Sequence, residues 1–147
     1  MAIEQIEPFR AYRILTEDRE ALYLDVRTEE EFAQGHPTGA VNIPIFIFRG
    51  PGQPEPNPEF LAVAEKVLSK DQQLVVGCMA GGRSQRACEA LEQAGFQRLA
   101  NVRGGFGGAR DASGAVVVKG WRESELPVST DVDECGYQSM RIKAGLG

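Results

Sequence analysis

The sequence is poor in the side chains on which most metal sites and acid–base mechanisms depend. It has one histidine, His36, and three cysteines, Cys78, Cys88 and Cys135. An odd number of cysteines with no C-x-x-C pair is a poor basis for a disulfide framework. A zinc site would need all four of these side chains, at spacings that do not match zinc-binding patterns. We therefore expect no metal, no cofactor and a reducing compartment, most simply the cytoplasm.

The sequence also lacks long apolar runs and blocks of positive charge. No apolar run approaches the roughly 18 residues of a membrane-spanning helix. The first seven residues are acidic and lack the basic and then apolar pattern of a signal peptide. Lys and Arg number 16 against 21 Asp and Glu, which gives a formal net charge of −5. This balance argues against nucleic acid or a membrane as the partner.

The residues that are present are typical of one globular domain. Hydrophobic residues make up 42% of the chain and charged residues 25%. A chain of about 150 residues buries enough surface for a core without disulfide support. Apolar segments that predict strands alternate with segments that predict helices: strands at 21–26, 40–43, 74–76 and 99–102, and helices starting near Pro8, Glu29, Pro58 and Arg83. This alternation predicts an α/β fold with a largely parallel sheet.

Local signals predict where two of the helices begin. Thr28 and Glu31 match a capping box, in which side chain and backbone bond reciprocally at the start of a helix. Asn57 and Pro58 are expected to cap and begin the next helix. They follow a loop at 49–58 that is rich in proline and glycine.

Three further segments are assigned from composition alone. Residues 45–48 are expected to cover the core, with a place in a pocket wall as the alternative. Residues 121–126 are expected to form a short helix that Pro127 ends. Residues 130–147 show no apolar periodicity, so we expect one domain over 1–129 followed by a tail or an extra edge strand.

One segment combines a nucleophile with a site for negative charge. Cys78 directly follows a predicted strand, at the end where ligands bind in open α/β sheets. Arg83 opens a helix five residues later, so the short loop between them directs backbone N–H groups towards its centre. Gly81 and Gly82 permit the backbone angles of a tight ring. We expect these groups to favour a Cys78 thiolate, and Arg83 to hold an oxyanion, without help from a histidine.

This loop resembles the active-site loop of the rhodanese family. Residues 78–84, Cys-Met-Ala-Gly-Gly-Arg-Ser, are similar to the family pattern C-x-x-G-x-R-S. Other family motifs are matched, in order, within about residues 6–129: at 24–27, 31–32, 35–36, 39–44, 104–105, 121 and 126–127. Pro37 is a departure, because it stands one place away from the family's proline, and we expect the local turn to differ there.

The resemblance implies a rhodanese-like three-layer domain, with a mostly parallel central sheet flanked by helices. It implies a sulfurtransferase in which Cys78 takes a sulfane sulfur from thiosulfate or a similar donor and carries it as a persulfide. The sulfur then passes to cyanide or to a thiol acceptor, including a protein thiol. Arg83 would orient the anionic donor. Backbone N–H groups would surround the persulfide, and they belong to Met79, Ala80, Gly81, Gly82 and Ser84.

Two other functions stay open. A non-catalytic or carrier module would receive sulfur from a partner protein and would need the same loop. A phosphatase or arsenate reductase on a similar scaffold resembles this chain less, because the phosphatase loop has five residues between cysteine and arginine. Here four residues separate Cys78 from Arg83, and Gly77 stands where many such phosphatases have a histidine. The shorter loop favours a sulfur atom over a tetrahedral phosphate.

Several polar residues near these motifs are expected to be structural. Asp25 and Arg27 end a strand and should form a paired support, because an unpaired buried charge is costly. His36 should act as a cap or hydrogen-bond partner, Cys88 should lie in the core, and Cys135 should be a spare thiol. Three more side chains could line the side from which an acceptor approaches: Phe106, Arg110 and Trp121. The tryptophan is better explained as a packing anchor.

Overall fold

The protein is represented by a computed structural model that describes residues 3–48 and 52–147. Within these residues the helices and strands follow one another in this order: β1 (Glu4–Ile6), α1 (Pro8–Glu17), β2 (Leu22–Asp25), α2 (Glu29–Gln34), β3 (His36–Pro37), β4 (Val41–Asn42), β5 (Phe46–Ile47), β6 (Glu55–Pro56), α3 (Phe60–Val67), β7 (Gln73–Gly77), α4 (Gly82–Gln93), β8 (Arg98–Val102), β9 (Ala109–Arg110), β10 (Val116–Val118), β11 (Val128–Ser129) and α5 (Tyr137–Lys143).

The central sheet has five strands in the order β1-β8-β7-β2-β4, and all of its neighbouring strands pair in parallel. Its middle strand is a short apolar run, in which Leu74, Val75 and Val76 are fully buried. Such runs are typical of parallel strands that are covered on both faces. The α/β fold with a mostly parallel sheet, which the sequence predicts, is confirmed.

Helices cover both faces of this sheet and give the fold three layers. Leu74 and Val76 belong to one core cluster and Val75 to another, as the alternation of side chains along a strand requires. Helices α3, α4 and α5 contribute to the first cluster, and α1 and α2 to the second. None of the helices in the described residues is long and apolar enough to cross a membrane.

The capping box at the start of α2 is present as predicted. The Glu31 amide donates to the Thr28 hydroxyl at 3.3 Å, and the Glu31 carboxylate accepts from the Thr28 amide at 3.1 Å. Pro37, which departs from the family pattern, lies in β3 rather than in a turn. It pairs there with Val128 of β11 in antiparallel register. This strand pairing connects the chain after α2 to β11.

Helix α3 begins at Phe60, two residues later than Pro58, where the sequence predicts it. Asn57 still satisfies a donor at this end, because its side-chain oxygen accepts from the amide two residues later at 3.0 Å. The two residues after Asn57 form a turn ahead of the helix. Part of the loop predicted at 49–58 is the short strand β6, and residues 49–51 lie outside the described residues.

The helix predicted at residues 121–126 is wrong, because residues 121–125 form turns. Trp121 is buried, and its indole N–H donates to the carbonyl oxygen of Pro127 at 2.7 Å. Glu125 has a φ of 59°, a left-handed conformation that interrupts a helix. The packing role predicted for Trp121 is confirmed. The buried indole, rather than a repeating helical hydrogen-bond pattern, determines the backbone path of this segment.

The segment after residue 130 differs from both the tail and the edge strand that the sequence predicts. It contains α5, which packs against α3 and β4. Tyr137 and Met140 are 5% and 2% exposed and belong to the core cluster beneath α3. The core therefore includes residues beyond 129.

Residues 45–48 cover the core only in part. Ile45 packs against the core cluster, but Phe48 is 52% exposed. Phe46 and Phe48 line a cavity next to Arg83. The pocket wall, which the sequence analysis held as the alternative, is therefore the better description of these two aromatic residues.

Candidate active site

The loop after β7 places Cys78 at the carboxyl end of the central sheet. The residue is 2% exposed, and its sulfur accepts a hydrogen bond from the Gly81 amide at 3.0 Å. Gly81 has a φ of 117°, which residues with a side chain rarely adopt. This conformation turns the amide back towards the sulfur. The loop therefore directs a backbone hydrogen-bond donor at the sulfur of its own cysteine.

The Ser84 hydroxyl oxygen lies 3.4 Å from the Cys78 sulfur. The sulfur, the Gly81 carbonyl oxygen at 3.1 Å and the side-chain oxygen of Asn101 are alternative acceptors for its single hydrogen. Gly81 supplies the one backbone amide that donates to the sulfur among the described residues. The roles predicted for the amides of the other loop residues stay predictions: Met79, Ala80, Gly82 and Ser84.

A second glycine-rich segment packs against the backbone of this loop. The Phe106 amide donates to the Cys78 carbonyl oxygen at 2.8 Å, and the Gly107 amide donates to the Met79 carbonyl oxygen at 2.9 Å. Gly105 has a φ of 50°, and a Cβ atom there would collide with the Cys78 carbonyl oxygen. Only glycine permits this close approach. This closing segment, residues 104–108, and the active loop, residues 78–84, therefore hold each other in place.

The Arg83 side chain forms an ion pair with an acidic residue of α2. Its two terminal nitrogens donate to the two carboxylate oxygens of Glu31 at 2.8 and 3.0 Å. Burial opposes ionisation of this carboxyl, but hydrogen bonds from Arg83 and Thr28 outweigh that effect and lower the pKa of Glu31 to about 2. The same pairing raises the pKa of Arg83. The ion pair ties the active loop to α2, and the donor-orienting role of Arg83 stays a prediction.

Asp25 and Arg27 form the buried pair that the sequence predicts. Both side chains are 1% exposed, and the Arg27 Nη2 donates to an Asp25 carboxylate oxygen at 2.8 Å. The same nitrogen donates to the Gly35 carbonyl oxygen at 2.7 Å. The Arg27 guanidinium also lies over the Phe106 ring, 4.5 Å from its centroid. The pair thus joins the end of β2 to the closing segment, as a support beneath the site.

A small cavity of about 120 Å³ opens beside the active loop, lined by Arg27, Glu31, Gln34, Gly35, Met79, Phe106 and Arg122. Phe106, which from the sequence could line the side from which an acceptor approaches, is part of this pocket next to the loop. Arg110, considered for the same side, instead lies 3.6 Å from the Glu123 carboxylate in an ion pair.

A larger cavity of about 410 Å³ adjoins the first, lined by Thr28, Glu30, Glu31, Gln34, Phe46, Phe48, Pro54 and Arg83. The two cavities share Glu31 and Gln34 as lining residues. The Arg83–Glu31 pair therefore lies at the point where a small, charged cavity meets a larger, partly aromatic one.

His36 is a hydrogen-bond partner and Cys88 lies in the core, as the sequence predicts. The His36 Nδ1 lies 2.7 Å from the Phe32 carbonyl oxygen, and its ring stacks on Phe32. Cys88 is fully buried, and burial raises the pKa of its thiol to about 12. Burial also raises the pKa of Cys135. No group of three or more His, Cys, Asp or Glu side chains in the described residues could hold a metal ion.

Comparison with known proteins relates this loop to one family. The model of the rhodanese-like domain matches residues 10–112, which is more than two thirds of the chain and includes the whole active loop. The chain belongs to the rhodanese-like domain family. The resemblance stated from the sequence is therefore confirmed.

Two plant proteins are similar to this rhodanese-like domain. It is 46% identical over 90 residues to "Protein HIGH ARSENIC CONTENT 1, mitochondrial" of Arabidopsis thaliana. The aligned region covers 61% of this chain and 53% of that protein. It is 43% identical over 84 residues to "Thiosulfate sulfurtransferase 16, chloroplastic" of the same plant, with 57% and 69% covered. The chain thus spans about half the length of the first of these relatives.

A solved structure gives the same fold assignment. The crystal structure of Rv0390 from M. tuberculosis superposes with a TM-score of 0.74 at 28% identity, covering 89% of this chain and all of that one. The three-layer architecture of the rhodanese-like domain is therefore shared with an independently determined structure.

Two residues of the site were missed by sequence reasoning. Glu31 was identified as a helix cap, but its partnership with Arg83 joins residues far apart in the chain, and no local pattern signals it. Asn101 accepts from Ser84 and donates to Gln5 at 2.8 Å. The signal for Asn101 was available, because a polar residue within a buried apolar strand needs a hydrogen-bond partner.

Proposed function

We propose that this rhodanese-like domain is a sulfurtransferase that moves a sulfane sulfur from thiosulfate or a similar donor to a thiol acceptor through a Cys78 persulfide. The observation that carries the proposal is the hydrogen bond from the Gly81 amide to the Cys78 sulfur at 3.0 Å. It lies at the carboxyl end of the sheet, in a family with a similar member named thiosulfate sulfurtransferase.

The reaction consists of two sulfur transfers that conserve electrons. The Cys78 thiolate attacks the outer sulfur of thiosulfate, the sulfur–sulfur bond of the donor breaks, and sulfite leaves with the bonding electron pair. Cys78 then carries one extra sulfur as a persulfide. Cyanide or a thiolate attacks that terminal sulfur, and the Cys78 thiolate is released. This is covalent catalysis by a cysteine that is activated by backbone dipoles rather than by a histidine.

Residues of this chain have separate tasks in the first step. The Gly81 amide lies 3.0 Å from the sulfur and stabilises the negative charge that Cys78 carries when it attacks the donor. The segment at Gly105 and Phe106 holds the loop backbone, and the buried Asp25–Arg27 pair supports that segment from below. Such preorganisation lowers the barrier because the donors need not move during the transfer.

The proposal is tested by intact mass after incubation with thiosulfate and then with cyanide. We expect wild-type protein to gain the mass of one sulfur atom and to lose it to cyanide, and the Cys78→Ser variant to gain none. Cys135→Ser is the matched control, because Cys135 is the more accessible of the other two cysteines. This variant should load like wild type. Sulfur on the Cys78→Ser variant would contradict the mechanism.

The carrier module is distinguished in the same experiment. If thiosulfate leaves the protein unmodified but a persulfidated partner protein loads Cys78, the domain relays sulfur without turning over small donors. The cytoplasmic location expected from the sequence stays a prediction. It is compatible with three free cysteines, of which Cys78 and Cys88 are buried.

Arsenate reduction is the second candidate, because a relative 46% identical to this chain is named for arsenic content. Arsenate is a tetrahedral oxyanion that would compete for the same anion site. Its reduction to arsenite takes two electrons, which two thiols such as two molecules of glutathione supply by joining as one disulfide, and the oxygen that arsenate loses leaves as water. Arsenite formation that depends on Cys78 and glutathione, with no sulfur loading, would favour this function over sulfur transfer.

A further inference from the structure

Arg122 lines the small cavity next to the active loop, and it is the one cation of that lining that has no ion-pair partner among the described residues. It is exposed, and its guanidinium lies 5.3 Å from the centroid of the Phe106 ring. Its backbone amide donates to the Phe106 carbonyl oxygen at 3.1 Å, which fixes where the side chain begins. Its side chain makes no ion pair or hydrogen bond to any residue in the described ranges. A guanidinium so placed is free to bind a ligand.

The charges around this cavity do not cancel. Three charged residues line it: Arg27, Glu31 and Arg122. The first is neutralised by the buried Asp25, and the second by Arg83. Arg122 is left as the excess positive charge. An anion that enters the cavity therefore meets one positive charge that no carboxylate of the described residues compensates.

The other candidate cation is already occupied. Both terminal nitrogens of Arg83 bond to Glu31, at 2.8 and 3.0 Å. An anionic donor would have to displace that carboxylate before it could use the Arg83 fork. No carboxylate in the described part of the chain competes for Arg122, and this residue offers the planar donors that suit a sulfonate or another oxyanion.

The cavity adjoins the active loop, although Cys78 itself is not among the described residues that line it. Met79, which follows Cys78 in the chain, lines it. Phe106 lines it too, and its amide donates to the Cys78 carbonyl oxygen at 2.8 Å. The volume of about 120 Å³ is several times the roughly 10–15 Å³ that one buried water needs. A small oxyanion therefore fits beside the loop.

We propose that Arg122 is the residue that recognises the donor's charged end, binding the oxygens of a small sulfur oxyanion while its outer sulfur is presented to Cys78. This inference rests on the proposed sulfur transfer and deepens it. It names the ligand class, a tetrahedral oxyanion with a transferable sulfur, and it assigns specificity to a residue outside the C-x-x-G-x-R-S loop.

Binding can be measured without the reaction, in a protein whose nucleophile is removed. Thiosulfate is titrated into the Cys78→Ser variant, and the shifts of backbone amide resonances are followed. We expect Arg122→Gln in this background to raise the Kd for thiosulfate at least about tenfold, as the loss of a charged hydrogen-bond donor does, and Arg122→Lys to restore part of the affinity.

The matched control is Arg98→Gln in the same background. Arg98 is an exposed arginine at the opposite end of the parallel sheet, where it pairs with Asp18 at 3.6 Å. This variant removes the same net charge and should leave the Kd unchanged. An unchanged Kd in Arg122→Gln, an equal loss in Arg98→Gln, or no saturable thiosulfate binding to the Cys78→Ser parent would each overturn the assignment.

The kinetics of sulfur loading provide a second readout that a merely structural role would not reproduce. With the Cys78 thiol restored, Arg122→Gln should raise the KM for thiosulfate about tenfold while kcat stays within about twofold. A fall in kcat at unchanged KM would overturn the binding role. If wild-type Cys78 never gains sulfur, the proposed function fails, and the titration still decides whether Arg122 binds the oxyanion.

Discussion

Replacing Glu31 by glutamine tests how much the tie between the active loop and α2 stabilises the fold. The glutamine keeps the size of the side chain and can still close the capping box with Thr28. It removes the negative charge that receives both terminal nitrogens of Arg83, at 2.8 and 3.0 Å. The difference in unfolding free energy between the two proteins therefore reports mainly on the ion pair.

The magnitude follows from the pKa of this carboxyl. A pKa lowered from 4.5 to about 2 corresponds to about 3 kcal/mol of preferential stabilisation of the charged form. The side chains of Arg83 and Glu31 are 29% and 28% exposed, so solvent screens part of the attraction. We expect Glu31→Gln to lower the free energy of unfolding by about 1–3 kcal/mol at pH 7.

The pH dependence supplies the sharper test. Because the pKa of Glu31 is lower in the folded protein than in the unfolded chain, its contribution is complete above about pH 4.5. It is then lost as the pH falls towards about 2. Urea unfolding of wild-type and variant protein should therefore give a constant difference from pH 8 to pH 5, which shrinks below that range.

Glu17→Gln serves as the control, since Glu17 pairs with Arg13 on the exposed side of α1 at 3.3 Å. Removing such a pair should cost less than about 0.5 kcal/mol. A difference for Glu31→Gln that is as large at pH 3 as at pH 7, or that is no larger than for Glu17→Gln, would refute the reasoning.

Three further predictions concern stability and are read from urea unfolding curves. Tyr23→Phe should leave stability unchanged or raise it by about 1 kcal/mol, since this buried hydroxyl has no hydrogen-bond partner in the described part of the chain; a loss above about 1 kcal/mol would contradict this. Gly77→Ala should cost at least about 1–3 kcal/mol, because the added methyl would overlap the Tyr23 phenol; wild-type stability would show that the ring moves freely. Met140→Ala should cost about 2–4 kcal/mol and its exposed control Ile142→Ala less than about 0.5; equal costs would show that α5 is not part of the core.

The sequence predicted those features that are encoded within a few neighbouring residues. The buried strand that ends at Cys78, the glycines of its loop and the capping box at Thr28 each depend on local backbone chemistry. The type of fold followed from the alternation of such segments. The support formed by Asp25 and Arg27 was also within reach, because two opposite charges at a strand end must be compensated when they are buried.

The features that were missed depend on contacts between distant segments. Helix α5 has seven residues, no side-chain cap and buried residues only at Tyr137 and Met140, so its apolar pattern is too short to recognise. The segment at Trp121 was predicted as a short helix that Pro127 ends, but the buried indole determines its path. The fold likewise determines that Arg122 has no ion-pair partner among residues 3–48 and 52–147.

Strand β1 has a consequence for the time at which the sheet can form. Glu4 lies opposite Ala100 and Ile6 opposite Val102, so within the described residues β1 pairs only with a strand that a ribosome makes almost 100 residues later. At roughly 5–20 residues per second, that delay is about 5 to 20 seconds. During this interval β1 lacks the strand with which it pairs, whereas β2 can already meet β7 before β8 is made. Sheet assembly during translation should therefore start at its centre, and β1, although it precedes the other strands of this sheet in the chain, should join last.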